Sequence, residues 1–188
     1  MDFSAFSHGQ IHSKLWLCQE LEKCIKKPAR VIIIGSWYNI LGFLLLSRNS
    51  SFYDMIVGVD YNLENTEIAN KICNFYMINN DQKIKNICMD ANKIDFTDYD
   101  IVISTSTEDI ETTNWFDKIK KETLLCLQST NMTTETASKY PNWEIKNPNE
   151  NMYTFKKKYH MSNILFEGIK EFDYGDLKYK RYMLIGTK

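Results

Sequence analysis

Arg30-Val31-Ile32-Ile33-Ile34-Gly35 is the stretch that decides the fold. Four β-branched residues in a row, with no polar residue at alternate positions, predict a strand buried on both faces, the habit of parallel sheets. The closing glycine lets the backbone turn tightly at the strand's end. Upstream, Ile11, Leu15, Cys18, Leu21 and Ile25 recur at helical spacing, widened by Trp16 and Leu17, with Ser7 available as a cap and Pro28 closing the segment. This predicts an amphipathic helix. Downstream, Tyr38–Ser47 reads as a helix, Met55–Asp60 as a second apolar strand, and Asn65–Met77 as a helix with Ile68, Ile72 and Phe75/Tyr76 on one side. The alternation continues through strands at Lys85–Cys88 and Asp100–Ser104, a helix at Thr113–Lys121 and a strand at Leu124–Gln128. Strands and helices alternating at these lengths predict βαβ units on a parallel sheet, with right-handed crossovers placing helices on both faces.

The end of the chain breaks this rhythm. Thr130–Asn149 is polar and carries two of the three prolines, as loop or short helix along the sheet edge, and Tyr153–Tyr159 suits a helix. Asn163–Phe172 and Lys178–Gly186 flank Asp173-Tyr-Gly-Asp176, which predicts a hairpin around a glycine-containing turn. A nicotinamide-binding domain would more often continue with further βα units. The expected organisation is one domain over 1–188: a helical cover at 1–28, a βαβ core at 29–129, and an edge segment with the terminal hairpin at 130–188.

Composition narrows the function classes. Apolar residues make 44% of the chain and charged ones 25%, which is globular rather than disordered. The longest apolar runs are far too short to cross a bilayer. Met1–Gln10 lacks the basic and apolar regions of a secretory leader, so the expected location is cytoplasmic. Five cysteines lie scattered without a C-x-x-C pair, so metal-ligand spacing is absent and buried thiols are expected. The net charge of −1 hides an excess of cations after residue 138, where ten Lys/Arg face six Asp/Glu. Without clustered arginines this is a weak nucleic-acid signal.

In open α/β sheets, ligands bind beyond the carboxyl ends of the strands. Those ends carry Gly35-Ser-Trp-Tyr-Asn39, Asp60-Tyr-Asn62, Asp90-Ala-Asn92, Thr105-Ser-Thr-Glu-Asp109 and Ser129-Thr-Asn131. Gly35 permits close backbone approach, but Trp37 and Tyr38 stand where a GxGxxG fingerprint needs small residues. Asp60 suits bidentate acceptance from vicinal ribose hydroxyls; it equally suits a turn or helix cap. Asp90 suits an adenine amino group, or again a local turn. Gly, Asp and Asp at three successive strand ends describe a nucleoside site without a pyrophosphate site.

Through Phe6-Ser-His-Gly-Gln-Ile-His-Ser-Lys-Leu-Trp-Leu-Cys18, Ile34-Gly-Ser-Trp-Tyr38, Val59-Asp60, Asp100-Ile-Val-Ile-Ser-Thr-Ser-Thr-Glu108, Leu127-Gln-Ser129 and Lys180-Arg-Tyr-Met-Leu-Ile-Gly186, the chain resembles the class I S-adenosyl-L-methionine (SAM)-dependent methyltransferases. More narrowly it resembles small methyltransferase-like proteins, many from phages and bacteria. The resemblance implies an α/β, Rossmann-like class I methyltransferase fold: a mostly parallel seven-stranded sheet with an antiparallel C-terminal hairpin. It implies a SAM pocket with Gly35 and its neighbours Ser36, Trp37 and Tyr38 near the methionine moiety, Asp60 on the ribose, Asp90 on the adenine, and Tyr61 or Ala91 against the ring, with Ser104 and Thr105 as further cofactor-binding candidates. In that group the fourth-strand motif often reads Glu-His where this chain has Glu108-Asp109, which argues against a histidine base there.

For the chemistry itself, Glu108 is a candidate to orient or deprotonate the acceptor, with a helix cap as the alternative. His8 or Lys14, at the start of the first helix, is a candidate to face the pocket from above. The Asp/Asn-Pro-Pro-aromatic tetrapeptide of many amine methyltransferases is missing, as is the Pro-Cys of cytosine-C5 enzymes. The expected activity is in-line methyl transfer to a small or accessible acceptor. Alternatives are SAM cleavage or aminocarboxypropyl transfer, and a non-catalytic nucleoside-binding module. The terminal hairpin could shield a sheet edge, but the sequence leaves the oligomeric state open.

Overall fold

The computed structural model describes residues 1–76, 82–138, 145–175 and 177–188, with Phe75 and Tyr76 described as backbone alone. The expected helix end at Met77, the hairpin residue Asp176 and positions 139–144 of the polar edge segment lie outside the described residues. Seven strands form one sheet: β1 (Ala29–Ile34), β2 (Tyr53–Asp60), β3 (Ile84–Cys88), β4 (Ile101–Ser104), β5 (Leu124–Thr130), β6 (Asn163–Asp173) and β7 (Lys178–Thr187). Their spatial order is β3-β2-β1-β4-β5-β7-β6. The first five pair in parallel, and β7 runs antiparallel to both β5 and β6. The mostly parallel sheet with an antiparallel terminal hairpin is therefore present as the sequence predicts.

The two-sided burial of β1 follows from its composition. Val31 and Ile33 point into a core with Leu17, Leu21, Leu41, Leu45, Ile103 and Met183. Ile32 and Ile34 point into a second core with Val102, Leu127, Trp115, Phe155 and Tyr159. Helices α1 (His8–Glu22), α2 (Ile40–Asn49) and α3 (Leu63–Tyr76) cover the first face; α4 (Asn114–Asp117) and α6 (Met152–Lys158) cover the second, and α5 (Thr134–Ala137) follows β5.

Three elements differ from the sequence expectation. α2 starts at Ile40 rather than Tyr38, because Trp37 and Asn39 both hold left-handed backbone (φ 52° each) and Asn39 caps the helix, accepting from the Gly42 N–H at 3.1 Å. The helix expected at Thr113–Lys121 is a single turn, Asn114–Asp117, held by burial of Trp115 and Phe116 rather than by propensity. α1 turns a different face to the sheet: it buries Gly9, Ser13, Lys14, Leu17, Cys18 and Leu21, leaving Ile11 and Leu15 half-buried. Two polar residues thus occupy the buried stripe, and they do so over the carboxyl ends of the strands.

Candidate functional site

At the carboxyl end of β1 the chain alternates left-handed residues: Gly35 (φ 62°), Trp37 and Asn39. Left-handed backbone costs a side-chain-bearing residue about 1–2 kcal/mol, so the turn must be held by its bonds. The Ser36 N–H donates to the Val59 carbonyl at 2.9 Å, the Asn39 N–H to the Ser36 carbonyl at 2.7 Å, and the Trp37 N–H to Asp60 Oδ2 at 2.9 Å. Trp37 is half-buried with its ring 5.3 Å from that of Tyr38. The buried Tyr38 hydroxyl accepts from the Asp2 N–H at 2.7 Å, which ties the N-terminal cover to this turn. Among the described residues, apart from Gly35 and its two chain neighbours, no atom comes within 4 Å of where a Cβ on Gly35 would stand, so the turn presents open backbone.

Asp60, 7% exposed at the tip of β2, also accepts at Oδ1 from the Asn62 N–H (2.9 Å) and from Asn65 Nδ2 (3.2 Å). A carboxylate offers about four lone-pair sites, and the chain's own donors take three. Oδ2 keeps one, enough for a single hydroxyl; bidentate acceptance requires Asn65 to let go. The turn reading of this residue is therefore observed, and one lone pair is left over. Asp90 is exposed and caps the turn Ala91–Lys93, accepting at Oδ1 from the Asn92 N–H at 2.8 Å. Ala91 is half-buried behind it, whereas Tyr61 is 77% exposed with Lys146 Nζ 6.0 Å from its ring centroid.

A second polar group gathers over the ends of β4, β5 and β7. Glu108 is 4% exposed in the short turn Thr107–Asp109; its Oε1 accepts from the Thr130 hydroxyl at 3.2 Å, and among the described residues its Oε2 accepts no hydrogen bond, although the Ser129 hydroxyl is near enough to favour the charged form. Burial pushes its carboxyl above the ordinary range, opposed by the Arg181 charge. Arg181, the register partner of Thr130 across β5 and β7, is 4% exposed; it donates Nη1 to the Thr105 carbonyl at 2.8 Å, and among the described residues its Nε has no partner. Lys14 is 6% exposed, with Nζ 2.5 Å from Gln10 Oε1; burial, and then the Arg181 charge, bring its pKa down to about 7. Gln128 fixes α1 here, donating Nε2 to the Ser13 carbonyl at 3.1 Å. On the opposite face of β5, Asn149 Nδ2 donates to Ser129 Oγ at 2.7 Å, and the buried Ser104 hydroxyl is unpartnered.

The structure thus brings Gly35, Ser36, Trp37, Tyr38 and Asp60 together at one turn, and Thr105 and Glu108 together with Arg181. Of the two candidates on the first helix, Lys14 is the one buried over the sheet. His8 is exposed, 3.7 Å ring to ring from His12 and 5.9 Å from Tyr174 beside the hairpin turn. Arg181 and Asn149 were not singled out from the sequence; an arginine in the final strand, one of only three in the chain, was the available signal. A surface depression of about 530 Å³ lined by Gln19, Lys23, Asn49 and Phe52 lies at the opposite, amino end of the strands, where Glu22 and Arg48 neutralise each other at 2.7 Å.

No protein-family model matches the chain, and no curated protein sequence is significantly similar to it. Solved structures are similar in shape. N-methyltransferase NodS from Bradyrhizobium japonicum WM9 superposes with a TM-score of 0.67 at 8% identity, over 95% of this chain and 97% of that one. Magnesium protoporphyrin IX methyltransferase (ChlM) from Synechocystis PCC 6803, solved with bound SAM, gives 0.64 at 10% identity over 94% and 81%. The cyclase SpnF gives 0.67 at 10% identity over 95% and 82%. Identities this low speak for the fold and leave the activity to the site. Strand order, pairing sense and superposition agree: the chain has the Rossmann-like fold of the class I SAM-dependent methyltransferases.

Proposed function

We propose that the protein is a SAM-dependent methyltransferase acting on a small or accessible acceptor. The observation that carries this is the open backbone at Gly35 joined to the buried Asp60 carboxylate by the Trp37 N–H. These residues suit an adenosine: the turn admits a ligand without meeting a side chain, and Asp60 keeps a free lone pair for a ribose hydroxyl. Asp90 Oδ2 is available to an adenine amino group, with Tyr61 or Ala91 against the ring. When bound, SAM supplies a methyl carbon made electrophilic by its sulfonium.

What remains for the protein's own residues is to hold the acceptor in line and to take its proton. Positioning alone accounts for much of such a rate enhancement. Glu108 suits the proton transfer, because its free Oε2 can accept an O–H or N–H and burial raises its basicity toward that of the group it relieves. Thr130 fixes its other oxygen. Thr105 and Ser104 lie at the end of β4, between this carboxyl and Gly35 in the strand order.

A second reading has an observation of its own. The chain's donors already satisfy most of Asp60, as expected of a non-catalytic module in which the acid only braces the turn. Calorimetry with S-adenosylhomocysteine (SAH) separates the two: methyl transfer requires saturable binding, and no binding at millimolar ligand gives the module reading the lead. Product analysis after incubation with SAM then identifies the reaction, since cleavage or aminocarboxypropyl transfer releases methylthioadenosine in place of SAH.

A further inference from the structure

Two basic side chains, Lys14 and Arg181, are more than nine-tenths buried over the sheet, and among the described residues no acid forms an ion pair with either, although Glu108 lies within electrostatic reach of Arg181. Their hydrogen-bond partners are neutral: the Gln10 side-chain carbonyl and the Thr105 backbone carbonyl. Among the described residues Arg181 Nε has no hydrogen-bond partner, and neither has Glu108 Oε2 across from it. Arg181 stands within electrostatic reach of both Lys14 and Glu108, and among the described residues no hydrogen bond or ion pair joins it to either. Buried charge without a counter-ion is costly, and native interiors avoid it unless a ligand completes the site.

Resting on the methyltransferase reading, we propose that Lys14 and Arg181 bind an anionic group of the methyl acceptor, a carboxylate or phosphate, while Glu108 Oε2 accepts the N–H or O–H of its nucleophile. The acceptor class is then a small acid bearing an amine or hydroxyl. The depressed basicity of Lys14 in the free protein agrees with this, because an anion arriving beside it restores the charged form. Position sets this group apart from the ribose, and the second arm of the test below distinguishes it from the donor's own carboxylate. α1 is pinned to β5 by the Ser13–Gln128 bond, and Arg181 arises from β7. These strands lie three and four places from β2, where Asp60 would hold the ribose, at about 4.8 Å per place.

The test uses the intact protein and two probes that need no knowledge of the acceptor. Sodium acetate and inorganic phosphate are titrated at constant ionic strength, with acetamide as the uncharged control, and the Arg181 Nε–H and Thr105 amide resonances are followed by NMR. We expect saturable shifts with the anions but not with acetamide. The apparent affinity should fall at least about tenfold in Lys14→Met, a loss of roughly 1.4 kcal/mol, and recover in Lys14→Arg. Shifts that do not saturate, that acetamide reproduces, or that survive Lys14→Met overturn the proposal. A second arm compares SAH with methylthioadenosine, which lacks the amino-acid arm. Equal binding of SAH by wild type and Lys14→Met supports an acceptor site. Loss of SAH affinity with methylthioadenosine affinity unchanged assigns the pair to the donor carboxylate and overturns it. If neither nucleoside binds, the methyltransferase reading fails, and with it the assignment of the anion to a methyl acceptor, while the anion titration still decides whether the pair binds anions.

Discussion

Asp60→Asn separates the turn-bracing bonds of this carboxylate from its proposed ribose role. The substitution keeps the shape of the side chain but leaves a single acceptor oxygen and adds an NH₂. The better orientation turns the oxygen toward the Asn62 N–H and Asn65 Nδ2, which sets the new NH₂ against the Trp37 N–H. One charge-assisted bond is lost and two become neutral, so we expect about 2–4 kcal/mol of lost stability in urea denaturation. The Trp37 turn loosens with it, since its left-handed backbone depends on that bond. For SAH, loss of the charged ribose acceptor should cost about 1–3 kcal/mol, or about 5- to 150-fold in calorimetric affinity. Both quantities are read on the same sample, below the unfolding transition. Reduced stability with unchanged SAH affinity refutes the ribose role and leaves Asp60 a brace for the turn.

Glu108→Gln should spare SAH binding and lower turnover; because burial raises the folded-state pKa of Glu108, its destabilising effect grows as pH rises above the ordinary carboxylate range, so the variant's relative stability should increase with pH. Lys14 acts in the opposite sense. Its folded pKa of about 7 lies below the ordinary 10.5, so the unfolded chain binds the extra proton between those values and wild-type stability rises through that window. Lys14→Met should therefore be more stable than wild type by about 1–4 kcal/mol near pH 6, with the advantage shrinking toward pH 10; a pH-independent difference excludes a buried titrating amine. Gly58→Ala should cost about 2–4 kcal/mol, because its Cβ would meet Asn39 Nδ2 at 2.5 Å and Asn86 Oδ1 at 2.8 Å, where those side chains bond each other. Gly35→Ala, with nothing near its Cβ, should cost only the about 1–2 kcal/mol of left-handed backbone, so denaturation of the pair reads crowding against strain.

The strands were the legible part of this sequence because a two-faced environment demands continuous apolar residues. Val31–Ile34 and Ile101–Ile103 have no alternative reading once their neighbours alternate with helices. Helix starts were less legible. Nothing local in Gly35-Ser-Trp-Tyr-Asn39 announces that Trp37 turns left-handed, since that depends on a carboxylate 23 positions away. α1 shows the same limit in packing: its apolar spacing favours Ile11 and Leu15, yet Ser13 and Lys14 are the residues turned inward, by a bond to Gln128 that spans 115 positions. The turn that joins Gly35 to Asp60 could be approached from sequence because strand ends can be located one at a time. Lys14 and Glu108 were singled out separately, but their grouping with Arg181 was not legible, since it assembles a helix, a strand and a loop that only the folded sheet brings together.

Crystals grown with SAH test the central claim most directly. We expect a ribose hydroxyl within hydrogen-bond distance of Asp60 Oδ2, with the amino-acid arm passing over Gly35 toward Thr105. Density for SAH elsewhere on the sheet, or none at millimolar ligand with Asp60 still bound to Trp37, Asn62 and Asn65 alone, would contradict it.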